Sequence, residues 1–316
     1  MHVIKELTWL RPLSDKLEQQ LQLNRLHHAL LFDATEGVGK YEFAKSLANR
    51  LLCNQAIDGQ ACGQCKSCHL FNNGSHPDYL EFADDTANSI GVEQIRAIVN
   101  KAQQKSQQGG ALVFVIKNCE KMTDSAANAL LKTLEEPNPH TYLLLTTSAI
   151  SHLLPTILSR CQLHRVNSPT EIQLNEWVAR QGIEQSDFLV AYQDSGHAPL
   201  KASALLADNY IEKRTNYLSQ FKQLLAGRIS AFDFFADFQE SELNHYYIWL
   251  MQALNQWLSV KSKQADQSVD KSAQLVKISS LYQAVQHNYA NVNLNGINKK
   301  LNYQQLCHKI EAILQE

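Results

Sequence analysis

Four of the seven cysteines in this 316-residue chain fall in one short stretch, Cys53, Cys62, Cys65 and Cys68, spaced C-x8-C-x2-C-x2-C. Four thiolates at such spacing complete a closed tetrahedral site around Zn2+. With four sulfur ligands no position is left for water, so the ion is expected to be structural and to tie down residues 53–68. Ordinary buried thiols are a poor alternative, because Gly63, Gln64, Lys66 and Ser67 lie between them. A redox role is the better competitor, since C-x-x-C occurs twice, but a third and a fourth cysteine favour metal. His69 and His76 are near in sequence and are not needed as ligands.

A second group of residues suits phosphate. Leu30-Leu-Phe-Asp-Ala-Thr-Glu-Gly-Val-Gly-Lys-Tyr41 leads from a predicted strand through a glycine-containing turn into a predicted helix at Glu42 to Leu51. Backbone amides at such a helix start, with Lys40 beside them, can cradle phosphates in the manner of G-x-x-x-x-G-K-[ST]. Two positions depart from that pattern: Ala34 replaces the first glycine, and Tyr41 replaces the Ser/Thr that would hold Mg2+. A working site also needs acids at the end of a neighbouring apolar strand. Here Val113-Phe114-Val115-Ile116 is followed by Lys117 and Asn118, and Glu120 would reach the site only through a distorted turn. Hydrolysis of ATP/Mg2+ by this chain is therefore not expected. Two readings stay open for Gly37, Gly39 and Lys40: weak nucleotide binding, or an inherited strand-to-helix turn, which is favoured.

Both groups need a scaffold. Short apolar runs at Ala29 to Phe32, Tyr79 to Phe82, Leu112 to Ile116, Tyr142 to Thr147 and Leu163 to Val166 alternate with helical patterns, as in a parallel sheet flanked by helices. The clearest helix spans about Asp124 to Glu136, with Ala127, Leu130, Leu131 and Leu134 on one face and Pro137 as its stop. Gln103 to Gln108 reads as a frayed helix end. Beyond residue 167 the chain reads as helices, broken at Asp194 to Pro199 and at Lys261 to Ser272. Trp249, Leu250, Leu254, Trp257 and Leu258 form an apolar stripe suited to a core and in part to an interface, whereas His245, Tyr246 and Tyr247 have no partner at recognisable spacing.

The composition, 44% hydrophobic and 19% charged, allows a sizeable core and two or three domains. No apolar run approaches membrane-helix length, the start Met1 to Glu6 lacks a signal-peptide core, and the cytoplasm is the expected compartment. A net charge of -2 excludes a global basic field, so any grip on DNA must come largely from partners.

Asn128-Ala-Leu-Leu-Lys-Thr-Leu-Glu-Glu-Pro137, Leu143-Leu-Leu-Thr-Thr147 and Leu158-Ser-Arg-Cys161 together resemble the clamp-loader branch of the AAA+ family. The four-cysteine insert, Ser75-His-Pro-Asp-Tyr79 and Asn295-Gly-Ile-Asn298 extend the likeness over nearly the whole chain. The resemblance implies an α/β AAA+ P-loop-type parallel sheet with flanking helices and a zinc-binding insert over residues 1–166, a small helical lid over 167–207, and an all-α collar over 208–316. It also implies a hetero-pentameric ring with gamma or tau motor subunits and a delta subunit, acting on a sliding clamp and primer-template DNA, with no membrane. Arg160 would be an arginine finger for a neighbour's ATP, with Ser159 and Cys161 positioning its loop; taken alone, Arg160 reads as a structural arginine paired with a carboxylate. Where motor subunits carry a sensor arginine, Gly196 to Lys201 offers only Lys201, and no sensor is expected.

The chain thus keeps what it would give a neighbour and lacks what it would use itself, which is the pattern of a noncatalytic subunit. An active gamma-type motor is the alternative, opposed by Lys117, Asn118 and an end at Glu316 that lacks an extension for polymerase or helicase. A zinc-dependent nucleic-acid-binding protein is a third reading, and Lys66 as the one basic residue in the cluster gives it little support.

Overall fold

The five apolar runs become five strands: β1 Ala29–Asp33, β2 Tyr79–Phe82, β3 Leu112–Ile116, β4 Thr141–Thr147 and β5 Gln162–Arg165. All pairings are parallel, in the order β2-β3-β4-β1-β5. Parallel neighbours require crossover connections, here helical, which cover both faces of the sheet; this is why the runs are apolar throughout rather than alternating. The computed structural model describes residues 6–84, 87–207, 209–236, 238–263, 269–292 and 297–315. Asn295 and Gly296 of the segment Asn295 to Asn298 lie outside the described residues.

Four helices matter to the sites: α1 Arg11–Gln22, α2 Lys40–Leu52, α3 Lys66–Asn72 and α4 Val92–Ala102. Helix α2 begins two residues earlier than the pattern predicted, because Gly39 takes a left-handed φ of 103° and turns the chain directly into it. A Cβ there would come within 2.6 Å of the Leu7 side chain, so the close approach requires glycine. Helix α5, Asp124–Glu135, starts where the Thr123 hydroxyl accepts the Ala126 N–H at 3.2 Å. Its Leu130 and Leu134 pack with Ile95 and Ile98 of α4 against Leu31, Phe114, Leu143 and Leu145. Each such fully buried side chain contributes about 1.5–3 kcal/mol. The other sheet face buries Leu30 and Phe32, with Phe43 edge-on to Phe32 at 5.2 Å.

Two expectations are corrected. Gln103 to Gln108 is not a frayed helix end: α4 stops at Ala102, and the amides of Gln107 and Gln108 are pinned by the Asp78 carboxylate at 2.7 and 2.8 Å. The break at Lys261 to Ser272 is shorter than predicted, since one helix continues to Lys263 and the next has begun by Val269.

The chain divides into two compact units, residues 1–185 with 198–200, and residues 186–197 with 201–316. The first holds the sheet. The second is helical and has an aromatic core that includes Tyr217, Phe221, Tyr247, Trp249 and Tyr303. Trp249, Leu250 and Leu254 are buried, as a core stripe demands. His245 is not isolated: it bonds Glu242 at 2.8 Å and stacks on Trp249. Among the described residues no helix is long and apolar enough to cross a membrane.

Candidate functional site

The cysteine site is built by the end of α2, the loop after it and the start of α3. Leu52 closes α2 so that Cys53 leaves it, and Cys65 caps α3 by accepting the Cys68 N–H. The four sulfurs lie within 4.8 Å of one another, with Cys53–Cys62 at 3.6 Å and both Cys53–Cys65 and Cys62–Cys68 at 3.9 Å. Tetrahedral Zn2+ with bonds of about 2.3 Å sets its sulfurs roughly 3.8 Å apart, so the residues fit the ion. Backbone N–H groups of Gln55, Cys62 and Cys65 point at sulfurs, the donors that thiolates need. Burial alone would raise the Cys65 thiol, but N–H groups from Cys68 and Asn54 and the neighbouring thiols outweigh it and bring it down to about 6. Burial pushes Cys68 strongly the other way. Without a cation the four thiols cannot all ionise together; a divalent ion removes that conflict.

Behind this site is a buried relay that sequence reasoning missed. The Ser67 hydroxyl donates to the Leu52 carbonyl at 2.6 Å and is 2.6 Å from His76 Nε2. The Asp78 N–H donates to His76 Nδ1 at 3.1 Å, so Nε2 carries the imidazole proton and donates to Ser67. Burial lowers the His76 pKa, partly countered by the Asp78 charge. The Asp78 carboxylate turns away to accept Ser106, Gln107 and Gln108, which makes the trio a tie between the cysteine site and the loop before β3 rather than a nucleophile. His76 is thereby committed elsewhere than to the sulfurs. The signal available in sequence was Ser75-His-Pro-Asp-Tyr79, whose partners could not be named from it.

The phosphate loop lies where β1 feeds α2, at the carboxyl edge of the sheet, where ligands of parallel sheets bind. Lys40 is only 4% exposed. Its amine donates to Ser148 Oγ at 2.8 Å, just past β4, and to the Thr35 carbonyl at 3.3 Å. Burial lowers its pKa, partly countered by Glu120. The loop is also bonded around its backbone: Trp9 Nε1 donates to the Val38 carbonyl at 2.9 Å, and the Leu200 N–H to the Gly37 carbonyl at 3.0 Å. Tyr41 donates to Glu81 at 3.0 Å, and its ring has the Lys117 ammonium 4.7 Å away and that of Lys45 at 5.6 Å. Tyr41 and Lys117, two departures from the pattern of a working phosphate site, thus lie side by side. The distorted turn that Glu120 would need is present, because Asn118 adopts φ 53°, ψ 53°; the carboxylate then accepts the Ser148 N–H at 3.1 Å.

Arg160 follows the short helix Pro155–Leu158, whose Ile157 is fully buried. Its Nε donates to Glu135 Oε1 at 2.8 Å and one Nη to the same oxygen; the other Nη donates to the Thr156 carbonyl at 2.9 Å and Ser159 Oγ at 3.1 Å. The carboxylate pairing weighed for Arg160 is therefore real in this chain, yet the side chain stays 31% exposed. Ser159 touches the guanidinium directly. Cys161 packs against the core and burial raises its thiol to about 12, so it serves as an apolar peg. Lys201 is exposed on the helix Pro199–Leu206.

Comparison with known proteins adds an independent line. The family described as DNA polymerase III, delta subunit, matches residues 10–170. DNA polymerase III subunit delta' of Haemophilus influenzae is 40% identical over 214 residues, which is 67% of this chain and 65% of that protein. Its Escherichia coli counterpart is 39% identical over 210 residues, 66% and 63% of the two chains. The match therefore spans just under two thirds of these relatives. Subunit tau/gamma of Haemophilus influenzae is 36% identical over 163 residues, 52% of this chain and 23% of that protein.

Proposed function

The chain belongs to the delta' (delta-prime) family of DNA polymerase III subunits, and from that premise we propose that it is a clamp-loader subunit that hydrolyses no ATP itself and completes the ATP site of a neighbour. Its partners are gamma or tau motor subunits and delta in a hetero-pentamer that loads the sliding clamp onto primed DNA in the cytoplasm. Arg160 is the finger. A guanidinium keeps its charge at any working pH and offers planar donors to phosphate oxygens, and such a finger contributes roughly a thousandfold or more to phosphoryl transfer.

The observation that carries this reading is a contrast within one sheet unit. Lys40 is buried on Ser148 and Thr35, while the Arg160 side chain stays 31% exposed. An active gamma-type motor would need Lys40 free for phosphate and an acid where Lys117 stands. Gly37 and Gly39 serve the strand-to-helix turn rather than a nucleotide. Zn2+ held by Cys53, Cys62, Cys65 and Cys68 is structural, and the three parts 1–166, 167–207 and 208–316 act as AAA+ base, lid and collar.

The test is DNA- and clamp-stimulated ATP hydrolysis by the reconstituted loader carrying either this chain or its Arg160→Ala variant, with assembly checked by gel filtration. A large loss of turnover in an intact complex is expected. Unchanged turnover would leave a scaffold role only.

A further inference from the structure

The guanidinium of Arg160 is already oriented in the single chain, and the residue that orients it lies outside the Ser-Arg-Cys motif. Glu135 is the last residue of α5, a helix fixed in the core by Leu130 and Leu134. It is 25 residues from Arg160 in sequence, and its own side chain is 48% exposed. One carboxylate oxygen takes the side edge of the guanidinium, from Nε to one Nη, while Thr156 and Ser159 take the other Nη. A guanidinium has five N–H donors in one plane. Of the two N–H groups on the Glu135-bound Nη, one is taken by Glu135, and the other lies on the far edge, outside these bonds.

We propose that Glu135 is a positioning residue for the finger, a role that rests on the reading of Arg160 as one. Pre-organisation is the physical basis. A long side chain that must order itself only when phosphate arrives loses rotamer freedom in the transition state; one held beforehand at both ends of its plane does not. Both supports are rigid: α5 is anchored in the core, and the turn bearing Arg160 is pegged by Ile157 and Cys161. The carboxylate lies on the side edge and leaves the far edge to a phosphate oxygen, so attraction to Glu135 and attraction to phosphate use different N–H groups.

The experiment compares Glu135→Ala, Glu135→Gln, Arg160→Ala and the double variant Glu135→Ala/Arg160→Ala in the complete reconstituted loader, measuring kcat and KM for ATP with DNA and clamp present, and thermal unfolding of each subunit. Glu135→Ala is expected to lower kcat about tenfold with KM changed less than about twofold, since a misplaced group loses transition-state contacts without losing ground-state binding. Glu135→Gln, whose amide oxygen still accepts, is expected to recover most of the loss. The double variant is expected to match Arg160→Ala alone. If Arg160→Ala is severe while Glu135→Ala is silent, the positioning role falls and the finger stands. A rise in kcat for Glu135→Ala would make the carboxylate a brake and overturn the proposal equally. If Arg160→Ala itself is silent, both readings fall together.

Discussion

Lys40 and Arg160 are cations of the same sheet unit, and each faces acceptors of its own chain, yet their settings are opposite. Lys40 is buried on a hydroxyl and a carbonyl from strand ends next to its own loop. Arg160 is braced from the side by Glu135, Thr156 and Ser159 and stays about a third exposed. On the proposed reading, the difference teaches how a phosphate site is retired. Charge is not deleted at the loop; Lys40 is satisfied internally, and the Lys117 ammonium lies beside the Tyr41 ring. At Arg160, by contrast, internal bonds hold the side chain while leaving it partly exposed.

The comparison breaks most readily in the assembled loader. Arg160→Ala is expected to lower turnover roughly a thousandfold, about 4 kcal/mol, whereas Lys40→Ala stays within about twofold. Equal losses in steady-state ATP hydrolysis would mean that Lys40 does bind a working nucleotide. Removal of zinc by a chelator is expected to cut hydrogen-exchange protection of residues 53–68 by about a hundredfold, because metal binding and folding of such a loop are one equilibrium. Unchanged protection in exchange mass spectrometry would leave the cysteines without a structural ion. In the chelated protein, iodoacetamide is expected to label Cys65 well before Cys161, whose thiol burial holds at about 12.

Asp78→Asn probes whether the support behind the cysteine site matters as much as the bracing of Arg160. Its carboxylate accepts three bonds, and the exchange is expected to cost about 2 kcal/mol in urea unfolding. Burial raises the Asp78 carboxyl, but the Gln107 and Gln108 amides, Ser106 and His76 outweigh it and hold it below its ordinary value. Its stabilisation is thus full above the unfolded value of about 3.9 and is lost as pH falls through the lower folded value. Wild type is expected to lose stability there more steeply than Asp78→Asn. The smallest effect is Thr123→Ala, about 1 kcal/mol from the lost cap of the helix that carries Glu135. A larger drop in turnover than in stability would show that the pose of α5 itself governs Arg160.

Much of this was legible from residue order. The strand runs placed all five strands within one residue at each end, β5 shifting to Gln162–Arg165 while Val166 still bonds Asp33. The helix Asp124–Glu135 and the meeting of the four cysteines were equally clear, because periodicity, caps and ligand spacing act over a few neighbouring residues. The degeneracy of the phosphate loop was readable letter by letter. What filled it was not: Ser148 reaches Lys40 across 108 residues, and Glu120 arrives only because Asn118 turns left-handed. Ser67 with His76, and Glu135 with Arg160, are likewise meetings of separate segments. Such pairs depend on which strand lies beside which and where each helix ends in space. Local sequence determines the elements; the parallel order β2-β3-β4-β1-β5 decides which of their ends meet, and those meetings bury Lys40 and leave Arg160 partly exposed.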